Sequence, residues 1–124
     1  MATDRKKKPR IFTHGHRQRW DRAVEHYLLE CYREHRPARA KEFARSLELT
    51  PEYASWLGGK ILGESLSDFL REKQLAYAAR LLRTTPLSVH EIALRCGFGS
   101  RSTLHRRFLE LHGMTPGAFR ELKK

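Results

Sequence analysis

The sequence predicts an all-α chain of about seven helices, built as two copies of one plan joined by a long linker helix. Three observations carry that expectation. Apolar residues recur at steps of three and four through most of the chain. Ser or Thr followed by Pro or an acid marks one helix start after another. A short helix, a turn, a capped helix and a further helix after a Gly-x-x segment occur twice.

In chain order, residues 1–15 are polar and basic with no apolar period, an arm expected to be disordered in the free protein. Lys6, Lys7, Lys8 and Arg10 suit phosphate or minor-groove contact. The plainer readings are a solubilising tail or a nuclear address. Trp20, Val24, Tyr27, Leu28 and Cys31 then give an amphipathic helix over 16–35. Arg36-Pro37 ends it, because proline disfavours a helical residue before it. A shorter helix over 38–47 buries Ala40, Phe43, Ala44 and Leu47.

Thr50-Pro51-Glu52 supplies an N-cap, a proline at the first helical position and an acid near the positive helix end. The third helix carries Tyr53 to Leu57. Gly58-Gly59 follows, at a cost of roughly 2 kcal/mol against alanines inside a helix. The pair ends or frays the helix, or marks an unusually close approach of backbone. Ser65 caps a long helix through Thr84. Its apolar residues (Leu66, Phe69, Leu70, Leu75, Tyr77, Ala78, Leu81, Leu82) cover more than one stripe, as expected where both ends touch a core. Thr85-Pro86 ends it.

The second copy opens at Ser88, whose spacing to Glu91 reads as a reciprocal capping box. Val89, Ile92 and Leu94 give this helix its apolar side, and Cys96-Gly97-Phe98-Gly99 stops it. Ser100 caps the next helix, with Leu104, Phe108 and Leu111 as its buried stripe. Thr115-Pro116 starts the last, with Phe119 and Leu122 facing inward. Leu49-Thr50-Pro51-Glu52 matches Phe98-Gly99-Ser100-Arg101 in position, and Gly63-Glu64-Ser65 matches Gly113-Met114-Thr115. Two helices joined by a tight glycine turn, the second with a basic outer face, follow the plan of a helix-turn-helix DNA reader. The expected organisation is an arm at 1–15, a first helix-turn-helix subdomain at 16–64, a linker at 65–84 and a second subdomain at 85–124. A linker of about 20 residues spans roughly 30 Å, close to one DNA turn of ~34 Å.

Charge bears on the partner. The formal net charge is +11, which favours polyanions, nucleic acid before anionic membrane. The excess is uneven. Residues 1–19 carry Arg5, Lys6, Lys7, Lys8, Arg10, Arg17 and Arg19 against Asp4 alone. Residues 95–124 carry Arg95, Arg101, Arg106, Arg107, Arg120, Lys123 and Lys124 against Glu110 and Glu121. Between these ends the charges balance, so the excess belongs to the arm and to the second reader. Cys31 and Cys96 fit no Cys-x-x-Cys pattern and read as reduced core thiols of a cytoplasmic protein. No apolar run approaches a membrane span or the core of a signal peptide.

The run Val89, Ile92-Ala93, Cys96-Gly97-Phe98, Ser100, Leu104, Arg106, Phe108, Gly113, Thr115-Pro116 and Phe119-Arg120 resembles the DNA-binding domain of the AraC/XylS family of bacterial transcription regulators. A weaker resemblance extends back to Trp20. The resemblance implies seven helices and two helix-turn-helix units, the second helix of each reading bases. It places Arg101, Ser102, Thr103, His105 and Arg106 on the reading face of the second unit, and Glu52, Ser55 and Trp56 on that of the first. The first unit departs from the family, with Ala54 where a large apolar residue is usual and Gly58 where an aromatic is usual. Leu104 also stands where the family often has an aromatic.

Each site residue has a plainer reading. Arg101 and Arg106 suit guanine contact, or are solvated surface arginines. Ser102 shares their polar face. His105 faces a base or solvent. Ser100 is expected to contact the phosphate backbone, and Thr103 contacts phosphate or its own cap. Arg107 reads as a phosphate contact or plain surface. Glu52 reads more readily as a helix-end stabiliser than as a cytosine reader. Trp56 stacks on a sugar or packs in the core, the exposed reading being preferred. His14-Gly15-His16 has metal-like spacing but no third ligand, so no metal site is expected. No catalytic triad, carboxylate pair or phosphate loop is evident, so neither an enzyme nor a cofactor is expected.

These readings converge on sequence-specific binding of double-stranded DNA in two successive major grooves, with the second unit dominant. The resemblance further implies transcription regulation, more often activation, through contact with RNA polymerase. No separate effector-binding domain is evident in 124 residues, so a monomer controlled by its own abundance, in the cytoplasm at the nucleoid, is the simplest expectation. The rivals are an architectural, sequence-independent nucleic-acid binder and, more distantly, a protein adaptor working through its first helix.

Overall fold

The computed structural model describes residues 16–122, which form seven α-helices and no strand. The helices are α1 (His16–Arg33), α2 (Ala40–Ser46), α3 (Pro51–Leu57), α4 (Leu66–Thr84), α5 (Val89–Arg95), α6 (Arg101–His112) and α7 (Pro116–Leu122). The arm bearing Lys6, Lys7, Lys8, Arg10 and His14-Gly15 lies outside the described residues.

Helix starts follow the chemistry of their caps. At five of the helix starts a Ser or Thr hydroxyl accepts the amide three residues on: Thr50 from Tyr53, Ser65 from Asp68, Ser88 from Glu91, Ser100 from Thr103 and Thr115 from Ala118, at 3.0–3.1 Å, whereas Arg39 precedes α2 without a side-chain cap. The capping box at Ser88 is only half made. Glu91 does not reach back to its cap, because its carboxylate accepts the Tyr32 hydroxyl at 2.6 Å and the Arg95 guanidinium at 3.2 Å.

Helix ends hold two corrections. α1 stops before Pro37 can act: His35 takes φ of 56°, and the amides of His35 and Arg36 turn back to the carbonyls of Tyr32 and Cys31. The third α-helix ends at Leu57, as the Gly58-Gly59 pair predicts, but the pair does not fray. It widens the helix into a π-helical turn over Gly58–Leu62, closed by the Gly63 amide on the Gly58 carbonyl at 3.0 Å.

Two cores result. In the first, Trp20 meets Phe43 and Phe69 edge-on at 6.0 and 5.7 Å between ring centroids, over Val24, Tyr27, Leu28, Ala54, Leu57, Leu66 and Leu70. The second gathers Leu75, Ala78, Leu81, Leu82, Ile92, Ala93, Cys96, Leu104 and Phe108. The two ends of α4 enter different cores, which is why its apolar residues cover more than one stripe. Arg120 of α7 donates to the carbonyls of Leu82 and Thr85, both at 3.1 Å, and so caps the C-terminus of α4.

Three core expectations fail. Leu111 is 57% exposed, and the inner place falls to His112, whose ring lies 4.3 Å from Phe108 and 5.4 Å from Phe119. Leu122, on the last turn of α7, is 65% exposed. The third lies in α2 and the residue after it, where Ala40 and Leu47 are only partly buried; α2 begins at Ala40 rather than at Ala38.

Candidate nucleic-acid interface

The two turns share one backbone device. At the second, Gly97 takes φ of 79°, with its amide on Leu94 and that of Phe98 on Ala93. At the first, Glu48 takes φ of 63°, with its amide on Arg45 and that of Leu49 on Ala44. A left-handed residue other than glycine costs roughly 1–2 kcal/mol, so the first turn is the more strained. The structure also corrects the alignment of the repeats. Leu49 does match Phe98, but Thr50 caps α3 immediately afterwards, whereas Gly99 intervenes before Ser100 caps α6. By their caps, Glu52, Ser55 and Trp56 correspond to Ser102, His105 and Arg106.

Leu104 and Phe108 are fully buried and set the rotation of α6. The outward face then presents Arg101, Ser102, His105 and Arg106, all exposed, with the half-exposed Leu109 one turn further on. Among the described residues neither Arg101 nor Arg106 has a hydrogen-bond or ion-pair partner, so both guanidinium forks point to solvent uncompensated. Neighbouring side chains are engaged differently. Arg107 is half-buried and lies 3.4 Å from Glu110. Thr103 is held by its cap, its hydroxyl accepting that of Ser100 at 3.0 Å.

On α3, Ala54 and Leu57 turn inward while Glu52, Ser55 and Trp56 are exposed. Trp56, 56% exposed, stacks on Tyr53 at 5.9 Å with planes 24° apart. The Lys60 ammonium sits 5.8 Å from the indole centre. Lys60 shares the side of Trp56 and is a candidate site residue that the sequence reading missed. Its spacing of four from Trp56 is the signal, hidden by the assumption that the helix stops at Gly58. It makes the first reading face less acidic than Glu52 alone suggests.

Two capped helices on left-handed turns, with a 19-residue helix between them, define a bipartite helix-turn-helix nucleic-acid-binding domain. Residues 43–122 match the family described as "Helix-turn-helix domain". The chain belongs to the AraC/XylS-type helix-turn-helix family of transcriptional regulators. It is 35% identical over 85 residues to the HTH-type transcriptional regulator GlxA of Rhizobium meliloti (strain 1021), covering 68% of this chain and 26% of that protein. It is 36% identical over 61 residues to the HTH-type transcriptional activator AarP of Providencia stuartii, covering 49% and 45% respectively. The chain thus spans less than half the length of both relatives. Among solved structures, the DNA-binding domain of the global transcriptional factor AdpA, in complex with a target DNA, superposes with a TM-score of 0.68. It is 26% identical, and the superposition covers 82% of this chain and 88% of that one.

Proposed function

We propose that the chain is a sequence-specific binder of double-stranded DNA that regulates transcription, placing α3 and α6 in successive major grooves. The observation that carries this reading is the exposed face of α6, where Arg101 and Arg106 stand without partners among the described residues beside Ser102 and His105. α4, about 28 Å long, suits the ~34 Å between successive grooves. Arg101, Ser102, His105 and Arg106 read bases in the second half-site, and Glu52, Ser55 and Trp56 in the first. Ser100, Thr103, Arg107, Lys6, Lys7, Lys8 and Arg10 contact the phosphate backbone. The second reader dominates, and one copy of the chain suffices for binding. Activation through RNA polymerase, in the cytoplasm at the nucleoid, is the regulatory outcome we favour, AarP being named an activator.

The test begins with selection of binding sites from a random duplex pool. Two conserved blocks one turn apart are expected. Loss of a bidentate guanine contact costs about 1–3 kcal/mol, so Arg106→Ala should weaken binding to the selected site by roughly 5- to 150-fold. Ser55→Ala should cost far less. Equal losses from the two would overturn the dominance of the second reader. Selected and random duplexes bound equally at two salt concentrations would instead favour the architectural reading.

A further inference from the structure

The two helix-turn-helix units touch each other directly, beside the helix that links them. The loop between α1 and α2 belongs to the first unit, yet it docks on the turn of the second. The Ala38 amide donates to the Gly97 carbonyl at 2.7 Å. The approach is so close that a Cβ on Gly97 would lie 2.9 Å from that of Ala38 and 3.1 Å from Leu28 Cδ2. A Cβ on Gly99 would lie 3.0 Å from that of Pro37. From α4, Gln74 is the one polar side chain buried among the described residues, at 7% exposure. Its Nε2 donates to the Cys96 carbonyl at 3.0 Å, at the end of α5. At the outer edge, the Tyr32 hydroxyl donates to Glu91 at 2.6 Å, and the Arg95 guanidinium lies 4.7 Å over the Tyr32 ring.

A single helix linking two small domains leaves them free to twist as its ends bend or fray. A second connection, packed against the turn that aims α6, removes that freedom. Gln74 is suited to close it: an amide buried amid apolar residues has one productive geometry, and a small rotation of the second unit would orphan it.

We propose that Gln74, with Pro37 and Ala38, clamps the two units into one rigid body, making Gln74 a positioning residue for half-site spacing. Resting on the DNA-binding reading above, the clamp makes the protein intolerant of altered spacing. One inserted base pair moves the second half-site by about 3.4 Å and rotates it by about 35° around the duplex. A locked pair of readers cannot follow that rotation.

Two measurements on the whole chain test this. Residual dipolar couplings on the free protein should fit residues 40–62 and 101–122 to one alignment tensor. Gln74→Met, which keeps the volume and deletes the donor, should separate the two tensors. With the selected operator, one inserted base pair should weaken wild-type binding by about tenfold or more, given that rotation. In Gln74→Met that penalty should shrink to threefold or less, with affinity for a duplex carrying only the second half-site changed by less than twofold. Tyr32→Phe, at the edge of the clamp, should shift both readouts in the same direction by less. Separate tensors in the wild type, or a spacing penalty that Gln74→Met leaves unchanged, would overturn the clamp. If no duplex is selected at all, the DNA-binding reading fails, and the couplings alone still decide whether the clamp exists.

Discussion

Gly97 carries two separable demands, and substitution measures them. Its φ of 79° lies in the left-handed region, where alanine costs roughly 1–2 kcal/mol. Its missing side chain also leaves room for Ala38 and Leu28, which a Cβ would meet at 2.9 and 3.1 Å. Relief of such contacts in a packed interior costs about 1–3 kcal/mol more. Gly97→Ala should therefore destabilise by about 2–5 kcal/mol, lowering Tm by roughly 10–25 °C for a domain of this size. Gly113 is the internal control. Its φ is 72°, but a Cβ there would meet nothing within 4 Å, so Gly113→Ala should lose only the backbone part, about 1–2 kcal/mol. Gly59 has neither demand, being helical with open space around its Cβ position. Gly59→Ala should stabilise by up to about 1 kcal/mol. Urea denaturation of the three variants beside wild type gives the ranking directly. Gly97→Ala and Gly113→Ala within about 0.5 kcal/mol of each other would refute the packing part.

Two further predictions concern titration and thiol chemistry. The Tyr32 hydroxyl, with help from Arg95, holds the Glu91 carboxyl below the usual glutamate range. A carboxyl lowered in the folded state stabilises the fold above its unfolded value of about 4.3 and loses that contribution as pH falls through its lowered value. Tyr32→Phe should therefore flatten the acid limb of the stability curve below pH 5, and an unchanged limb in urea titrations would count against the Tyr32–Glu91 bond. Burial raises the thiol pKa of both Cys31 and Cys96, leaving little thiolate at neutral pH. Neither should react with an alkylating reagent over minutes in the native state, whereas both should in denaturant. Prompt native labelling seen by mass spectrometry would contradict the burial.

Most of the fold was legible because its signals are local. A hydroxyl three residues before a free amide caps a helix wherever it stands, and Trp20, Val24, Tyr27, Leu28 and Cys31 share one side of a helix by geometry alone. The arginine face of α6 follows in turn once Leu104 and Phe108 are placed inside. What escaped depends on partners distant in the chain. Glu91 looked like half of a capping box because its true partner, Tyr32, lies 59 residues away. Leu111 and His112 are both plausible next steps after Phe108, and only α7, bringing Phe119 across, selects the imidazole. Gln74 gave no sign of burial, since its acceptor is a backbone carbonyl of another helix. At Gly58-Gly59 the glycine penalty was real, but widening the turn to an i−5 hydrogen bond let the helix continue.

The asymmetry between the readers follows from this connectivity. α6 offers two uncompensated guanidinium groups, while α3 offers an indole, a hydroxyl and an acid, with the ammonium of Lys60 beside them from the π-helical turn. Separated, a reader of the second kind would hold DNA weakly, since its one cation is offset by Glu52 and brings little net charge to the polyanion. Held rigidly to a strong partner, it needs no affinity of its own for encounter. On the proposed function, docking of α6 would present α3 to the next groove at an effective concentration in the millimolar range or above, with no loop to order. Under those conditions weak contacts still discriminate between sequences, because only the difference between right and wrong bases matters. The first unit can then carry Ala54, a strained Glu48 turn and a glycine-softened helix without loss of operator choice, provided that its position is fixed elsewhere. Gln74, Pro37 and Ala38 are the groups placed to fix it.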